Sequence, residues 1–266
     1  MGTGKGGLLL TQAKGWVARY QEAALAVRQE ASEPAVHGYR IAARRLLALL
    51  ALWRPLVYHS ELERRLLRTV GRLSALRDAQ VYAERFGKPS AIASLRSEPG
   101  CPVPMLSRRL ARWLAAVAQI PADHELAALY QWHLALRLDE ALAILEESGL
   151  PVGATTACPR RQQLHRWHRL RLEIKQARYG VELLLELGAG DRRWLLTLIR
   201  WQERLGQLQD WRQWRRTLRG GKGRSGKQGK IRQQLKGKIS ARLRQLECQQ
   251  AELVALKLAM LAPPPR

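Results

Sequence analysis

Cysteine, acidic residues and long apolar runs are all scarce in this 266-residue chain, and each scarcity excludes something. The three cysteines, Cys101, Cys158 and Cys248, are far apart, odd in number and in no metal-ligand spacing. They form neither a disulfide framework nor a zinc site, so a reduced, cytoplasmic protein is expected. No stretch approaches the ~18 consecutive apolar residues of a membrane span, and Leu8-Leu9-Leu10 is far too short for a signal sequence. Strand-like alternation is nearly absent. Acid is the most telling shortage: 22 Asp and Glu stand against 46 Lys and Arg, a net charge of +24. Between Trp211 and Leu246 there are 13 basic residues and no acidic one. Such an excess does not specify a fold, but it predicts an anionic partner.

What the chain has in quantity is helical periodicity. Hydrophobic residues make up 46% of it, enough for a substantial core. Their spacing predicts helices over about 9–31, 34–53, 60–86 (interrupted near Gly71), 103–119, 122–148, 159–188, 192–218 and 229–262. Ser32, Glu33 and Pro34 mark a helix start with proline in the first turn, and Pro55 ends that helix. The proline-rich stretch from Gly87 to Pro104 and the stretch from Leu150 to Pro159 read as loops. Arg219 to Gly229 reads as a mobile basic loop, and the final Pro-Pro-Pro-Arg as a tail.

Within these helices one pattern occurs twice: a histidine, an arginine three residues on, an apolar residue, and a further cation. The first copy is His37-Gly-Tyr-Arg40-Ile41-Ala-Ala-Arg44-Arg45; the second is His168-Arg-Leu-Arg171-Leu172-Glu-Ile-Lys175, continuing to Arg178-Tyr179. Positions i, i+3 and i+7 share a helix face, so each copy sets an imidazole in a row of cations. The opposite faces are apolar: Tyr39, Ala42, Ala43, Leu46, Leu49, Leu50 and Trp53 in one, Trp167, Leu170, Ile174, Ala177, Val181 and Leu184 in the other. The duplication continues downstream. Residues 68–78 align without gaps to 200–210, with five of eleven positions identical, pairing Arg68 with Arg200, Arg72 with Arg204 and Asp78 with Asp210. Such register implies two copies of one helical unit.

These residues resemble the conserved histidine α-helical domain, or CHAD domain. Val36-His37-x-x-Arg40-Ile41-x-x-Arg44-Arg45, followed by Leu76-Arg77-Asp78-Ala79-x-Val81, is similar to its first half. His168-x-x-Arg171-Leu172-x-x-Lys175-x-x-Arg178-Tyr179-x-x-Glu182 is similar to its second. The resemblance implies an all-α fold: two pseudo-symmetric four-helix repeats, about 9–150 and 159–262, forming one helical bundle domain around a basic groove. It also implies non-catalytic binding of inorganic polyphosphate. Leu47 and Gln176 depart from the pattern, standing where many members carry Arg or Lys.

On that basis the expected polyphosphate-binding residues are His37, Arg40, Arg44, Arg45, Arg68 and Arg72 in the first repeat. In the second they are His168, Arg171, Lys175, Arg178, Arg200 and Arg204. Like charges at i,i+4 repel by a few tenths of a kcal/mol per pair, a cost that a bound polyanion reverses. Each histidine has two readings, a structural residue or a donor to phosphate oxygens. Asp78 and Asp210 are expected to orient cations of the basic face, and Tyr179 to cap it or to lie partly buried. No metal or cofactor is expected: Arg40 and Arg44 would repel a divalent cation, and the pair His165 and His168 lacks a third ligand.

Two catalytic-looking strings fail. Gly221-Lys-Gly-Arg-Ser-Gly226-Lys227-Gln228 has Gln where a P-loop needs Ser or Thr for magnesium, and it follows a helix rather than a strand. Glu61-Leu-Glu63-Arg-Arg65 resembles the alternating acids of triphosphate-tunnel enzymes, which require a strand to place both acids on one face. Without a carboxylate cluster to hold magnesium, no phosphoryl transfer is expected. The competing partner is RNA or DNA, because aromatic platforms with basic flanks hold single strands. Of the nine tryptophans, Trp53, Trp113 and Trp167 read as core, whereas Trp201, Trp211 and Trp214 are interspersed with arginine and could be exposed. An adaptor for an acidic protein is a third reading. For a polyphosphate binder, a cytoplasmic place at polyphosphate granules is expected.

Overall fold

The structure is a computed structural model that describes residues 5–86, 102–119, 125–146, 160–220 and 226–262. Among the described residues the fold is all-α, with nine helices and no strand. They are α1 (Lys5–Gln29), α2 (Glu33–Trp53), α3 (Ser60–Phe86), α4 (Ser107–Ala118), α5 (Glu125–Glu146), α6 (Arg160–Glu186), α7 (Arg192–Gly220), α8 (Gly226–Cys248) and α9 (Ala251–Leu261). By packing the chain divides into two compact units. One comprises Met1–Tyr130 with Glu186–Ala189, the other Gln131–Leu185 with Gly190–Arg266.

In the first unit α2 packs on α1 and α3, and α4 packs on α1. The apolar face of α2 (Val36, Tyr39, Ala43, Leu46, Leu50) is buried, as are Trp16, Tyr20 and Ala24 of α1 and Leu62, Leu66 and Leu73 of α3. Each large side chain removed from water in this way is worth ~1.5–3 kcal/mol. The buried phenols satisfy one another. Tyr20 donates to the Pro104 carbonyl at 2.6 Å. Its single hydrogen being used there, Tyr39 must donate across the 3.1 Å separating the two hydroxyls. Burial, followed by the Tyr39 hydroxyl, pushes the Tyr20 pKa far up, so that group stays neutral.

In the second unit α7 packs on α8 and α9. Its core joins Trp167, Leu170, Ile174 and Val181 of α6 to Leu198, Trp201 and Leu205 of α7 and Ile239, Leu243 and Leu253 beyond. The α9 terminus is closed by a side chain distant in sequence. Gln131, buried on α5, donates its amide to the Met260 carbonyl at 2.7 Å and to the Ala262 carbonyl at 3.3 Å. Helix C-termini leave such carbonyls orphaned. The turn between α6 and α7 depends on glycine. Gly190 sits at φ +107, and a Cβ there would meet the Leu184 Cβ at 3.2 Å.

Several sequence expectations are corrected. α3 runs unbroken through Gly71, whose position has nothing within 4 Å of an added Cβ. The helix expected from 103 begins at Ser107, because Leu106 takes a left-handed φ of 55 and Pro104 precedes it. The helix expected over 229–262 is two helices. At Gln250 and Glu252 the backbone bonds run to the residue three back, at 3.3 and 3.0 Å, a tightened turn separating α8 from α9. Ser32 starts α2 with proline behind it but makes no side-chain cap bond. Of the basic loop expected at 219–229, residues 219–220 belong to α7 and residues 226–229 to α8. Residues 221–225, most of the proline-rich stretch from 87, the stretch 150–159 and the Pro-Pro-Pro-Arg tail lie outside the described residues.

Candidate anion-binding faces

In the first unit, the α2 row begins with an exposed His37 and continues through half-buried Arg40, Arg44 and Arg45. Arg40 reaches across to α3 and donates to the Leu73 carbonyl at 3.0 Å, so it also ties two helices together. The Arg45 guanidinium lies 5.8 Å from the Trp16 ring, a cation–π contact that holds it in place. Arg68 and Arg72 of α3 are exposed and have no hydrogen-bond or ionic partner among the described residues. The acids of the false motif are already engaged. Glu61 pairs with Arg64 and, at 2.6 Å, with Arg65, while Glu63 pairs with Arg54. Hydrogen bonds from Arg64 and then Arg65 hold the Glu61 carboxyl well below the usual carboxylate range. Neither acid is disposed to hold magnesium.

In the second unit His168 is half-buried and shares a small gap of about 10 Å³ with Trp167, Arg171, Leu205, Leu208, Gln209 and Arg212. Its Nδ1 is buried without a hydrogen-bond partner among the described residues. Burial lowers its pKa below the ordinary 6.5; Arg171, Arg212 and His165 lower it further, and a hydrogen bond with Gln209 opposes them. Arg171 aligns in sequence with Arg40, and Leu205 with Leu73. Within the second unit, Arg171 and Leu205 both line that gap. Further along α6, Arg171, Lys175 and Arg178 are half-buried. Arg178 makes a 3.4 Å ion pair with Glu182, and its guanidinium lies 4.6 Å from the Tyr179 ring. Tyr179 is 5% exposed and belongs to the core rather than capping the surface.

On α7, Arg200 is exposed and donates to Thr197 at 3.2 Å. Arg204 is committed more firmly, to Glu252 at 2.8 Å. Trp201 is corrected from an exposed platform to a core residue at 0% exposure. It stacks on Trp167 with ring centroids 6.5 Å apart and donates to Glu252 at 3.1 Å. Trp211 is half-buried against Lys238 and Arg242, 5.9 and 5.6 Å from its ring, and Trp214 is half-buried. Sequence reasoning missed an exposed tryptophan, Trp132 at 54%. Asp210 is half-buried on α7, and the Asp78 side chain lies outside those described. Leu47, which departs from the family pattern, is 7% exposed, so in this chain position 47 serves the core. Among the described residues no group of three or more potential ligands could hold a metal, and no helix is long and apolar enough to cross a membrane.

An all-α fold with histidine-led basic rows on α2 and α6 is the setting in which the comparisons fall. A model of the CHAD domain family matches residues 11–219, and the chain belongs to that family. The crystal structure of the CHAD domain from the plant Ricinus communis is similar in fold, with a TM-score of 0.55 and 16% sequence identity. That match covers 97% of this chain and 92% of the plant chain. No curated protein matches the sequence. The family is linked in general to polyphosphate binding and is not a typical catalytic fold.

Proposed function

We propose that this protein binds inorganic polyphosphate through the basic faces of both repeats, by charge and charge-assisted hydrogen bonds, and does so without catalysis. The observation that carries this reading is the accounting of acids. Glu61, Glu63, Glu173 and Glu252 are occupied by arginines of their own unit. With 24 more cations than acids, the chain cannot neutralise its basic rows from within. Exposed Arg68 and Arg72 are the plainest case. Polyphosphate has no bases and needs no aromatic platform, which fits a protein whose Trp201 is core. A cytoplasmic place at polyphosphate granules and support from Asp78 and Asp210 belong to the same proposal.

The test is affinity for long-chain polyphosphate in competition with RNA at physiological salt, using one pair of substitutions in each repeat. Arg68→Ala/Arg72→Ala is preferable to a pair containing Arg40, whose loss would free the Leu73 carbonyl and disturb the fold. Arg171→Ala/Lys175→Ala serves the second repeat. Each pair should weaken binding at least tenfold, ~1.4 kcal/mol, with helix content unchanged by circular dichroism. The combined variant should fall further, since a long polymer can engage both rows. Unchanged affinity in both pairs would refute the reading, and displacement by equimolar RNA would favour the nucleic-acid alternative.

His168 gives a pH dependence of two opposite signs. Its folded pKa is lowered, so the unfolded chain binds more protons, and the stability this contributes is present above pH ~6.5 and lost as pH falls through the folded value. A bound polyanion acts the other way, favouring imidazolium, so proton uptake tightens binding on the acid side. Between pH 8 and 6 the urea midpoint should fall while polyphosphate affinity rises, and His168→Gln should flatten both slopes. A variant with the wild-type affinity profile would make His168 purely structural.

A further inference from the structure

The second unit contains a cavity of about 480 Å³ lined by Ile144, Gln162, His165, Arg166, Arg169, Arg212 and Arg216. None of the residues proposed above for polyphosphate lines it. On α6, Gln162, His165, Arg166 and Arg169 stand at i, i+3, i+4 and i+7, one face of the helix. That face points away from the one bearing Arg171, Lys175 and Arg178. On α7, Arg212 and Arg216 stand at i and i+4, again on one face. Four guanidinium groups and an imidazole therefore converge on one concavity, and its lining contains no carboxylate among the described residues. Arg212 also donates to the Leu164 carbonyl at 3.4 Å.

Two features distinguish this cavity from a merely solvated basic surface. The first is an unmet bond: one terminal nitrogen of Arg166 is buried and has no hydrogen-bond partner among the described residues. A desolvated cationic donor without an acceptor is costly, and a turn of the guanidinium towards an anionic oxygen in the cavity would relieve that cost. The second is shape. A concavity of this size falls in the ~300–1,000 Å³ range of small-molecule sites, and Ile144 gives it one apolar wall. In a half-open concavity of this size, arginine forks beside an apolar wall suit a compact ligand. Arginine forks match phosphate geometry bidentately.

We infer that this cavity is a discrete binding site for a compact phosphorylated small molecule bearing an oligophosphate group, separate from the polyphosphate-binding rows. The inference does not depend on the polyphosphate reading.

Isothermal titration of the full chain with metal-free ATP at physiological salt should show one saturable site. Arg166→Gln/Arg169→Gln should weaken it at least tenfold. Arg216→Gln, at an exposed position where folding is not at stake, should weaken it about threefold or more. Lys175→Ala, on the polyphosphate row, should leave it within twofold. Inorganic tripolyphosphate should bind no more tightly than ATP, because it lacks a body to rest on Ile144. The inference is overturned if ATP does not saturate, or if Lys175→Ala weakens ATP as much as the cavity variants. It is equally overturned if tripolyphosphate binds while ATP does not, since the cavity would then be an extension of the polymer surface.

Discussion

Raising salt from 50 to 200 mM should weaken long-chain polyphosphate binding by roughly 10³–10⁴-fold. The mechanism is counterion release: each backbone charge neutralised by a protein cation frees a condensed ion, and the log–log slope is ~0.7–0.9 per contact for nucleic acids. Polyphosphate is likewise a dense linear polyanion, so the same rule is applied to it. Of the ten Arg and Lys residues assigned to the basic rows, Arg40, Arg178 and Arg204 are engaged by a carbonyl or carboxylate of their own unit. Contact with phosphate by seven of the ten gives a slope of about −5 to −6. Affinities measured by fluorescence anisotropy across four salt concentrations would give the slope directly. A value shallower than about −2 would mean the basic rows do not form the site.

Trp201→Ala should cost ~3–5 kcal/mol of stability, the range for deleting a large buried aromatic. The ring is fully buried, stacks on Trp167, donates to Glu252 and lies 5.4 Å from the Arg204 guanidinium. Its loss therefore opens a cavity and removes one of the two donors that fix Glu252, loosening the Arg204 pair as well. Thermal unfolding should shift down by about 6–20 °C, taking ~2–4 °C per kcal/mol for a protein of this size. Trp211→Ala, at a half-buried ring resting on Lys238 and Arg242, should cost much less. If Trp201→Ala unfolded at the wild-type temperature yet lost affinity for single-stranded RNA, the ring would be a stacking platform and the nucleic-acid reading would lead.

Much of the architecture was legible because helices report on themselves. The apolar faces of α2 and α6 recur every three or four residues, and Tyr39, Leu46, Leu50, Trp167, Ile174 and Val181 are all buried. Trp201 was misread because its neighbours Arg200 and Arg204 lend the segment a polar appearance. Arg200 points outward, whereas Arg204 turns to an acid 48 positions away in sequence. The join between α8 and α9 escaped notice because Gln249 and Gln250 are neither glycine nor proline, and a helix can tighten through them without a breaker residue. The small-molecule cavity left a partial trace in the pairs Arg166 and Arg169, and Arg212 and Arg216. Nothing in their spacing indicates that α6 and α7 bring them to one place.

The sequence by itself determined the helical class, the duplicated histidine-led rows and the surplus of cations. Each of these depends on residue type and on spacings within about two turns of helix, which the chain encodes directly. Tertiary structure alone decided which cations are already engaged: Arg40 with the Leu73 carbonyl, Arg137 with Glu173, Arg204 with Glu252. It likewise decided that Leu47 and Tyr179 are core, that His168 is desolvated enough to hold its pKa down, and that four arginines line one concavity. The reason is physical. An unbonded guanidinium and a bonded one have the same periodicity, and only the packing of a second helix against the first supplies the acceptor or withholds it.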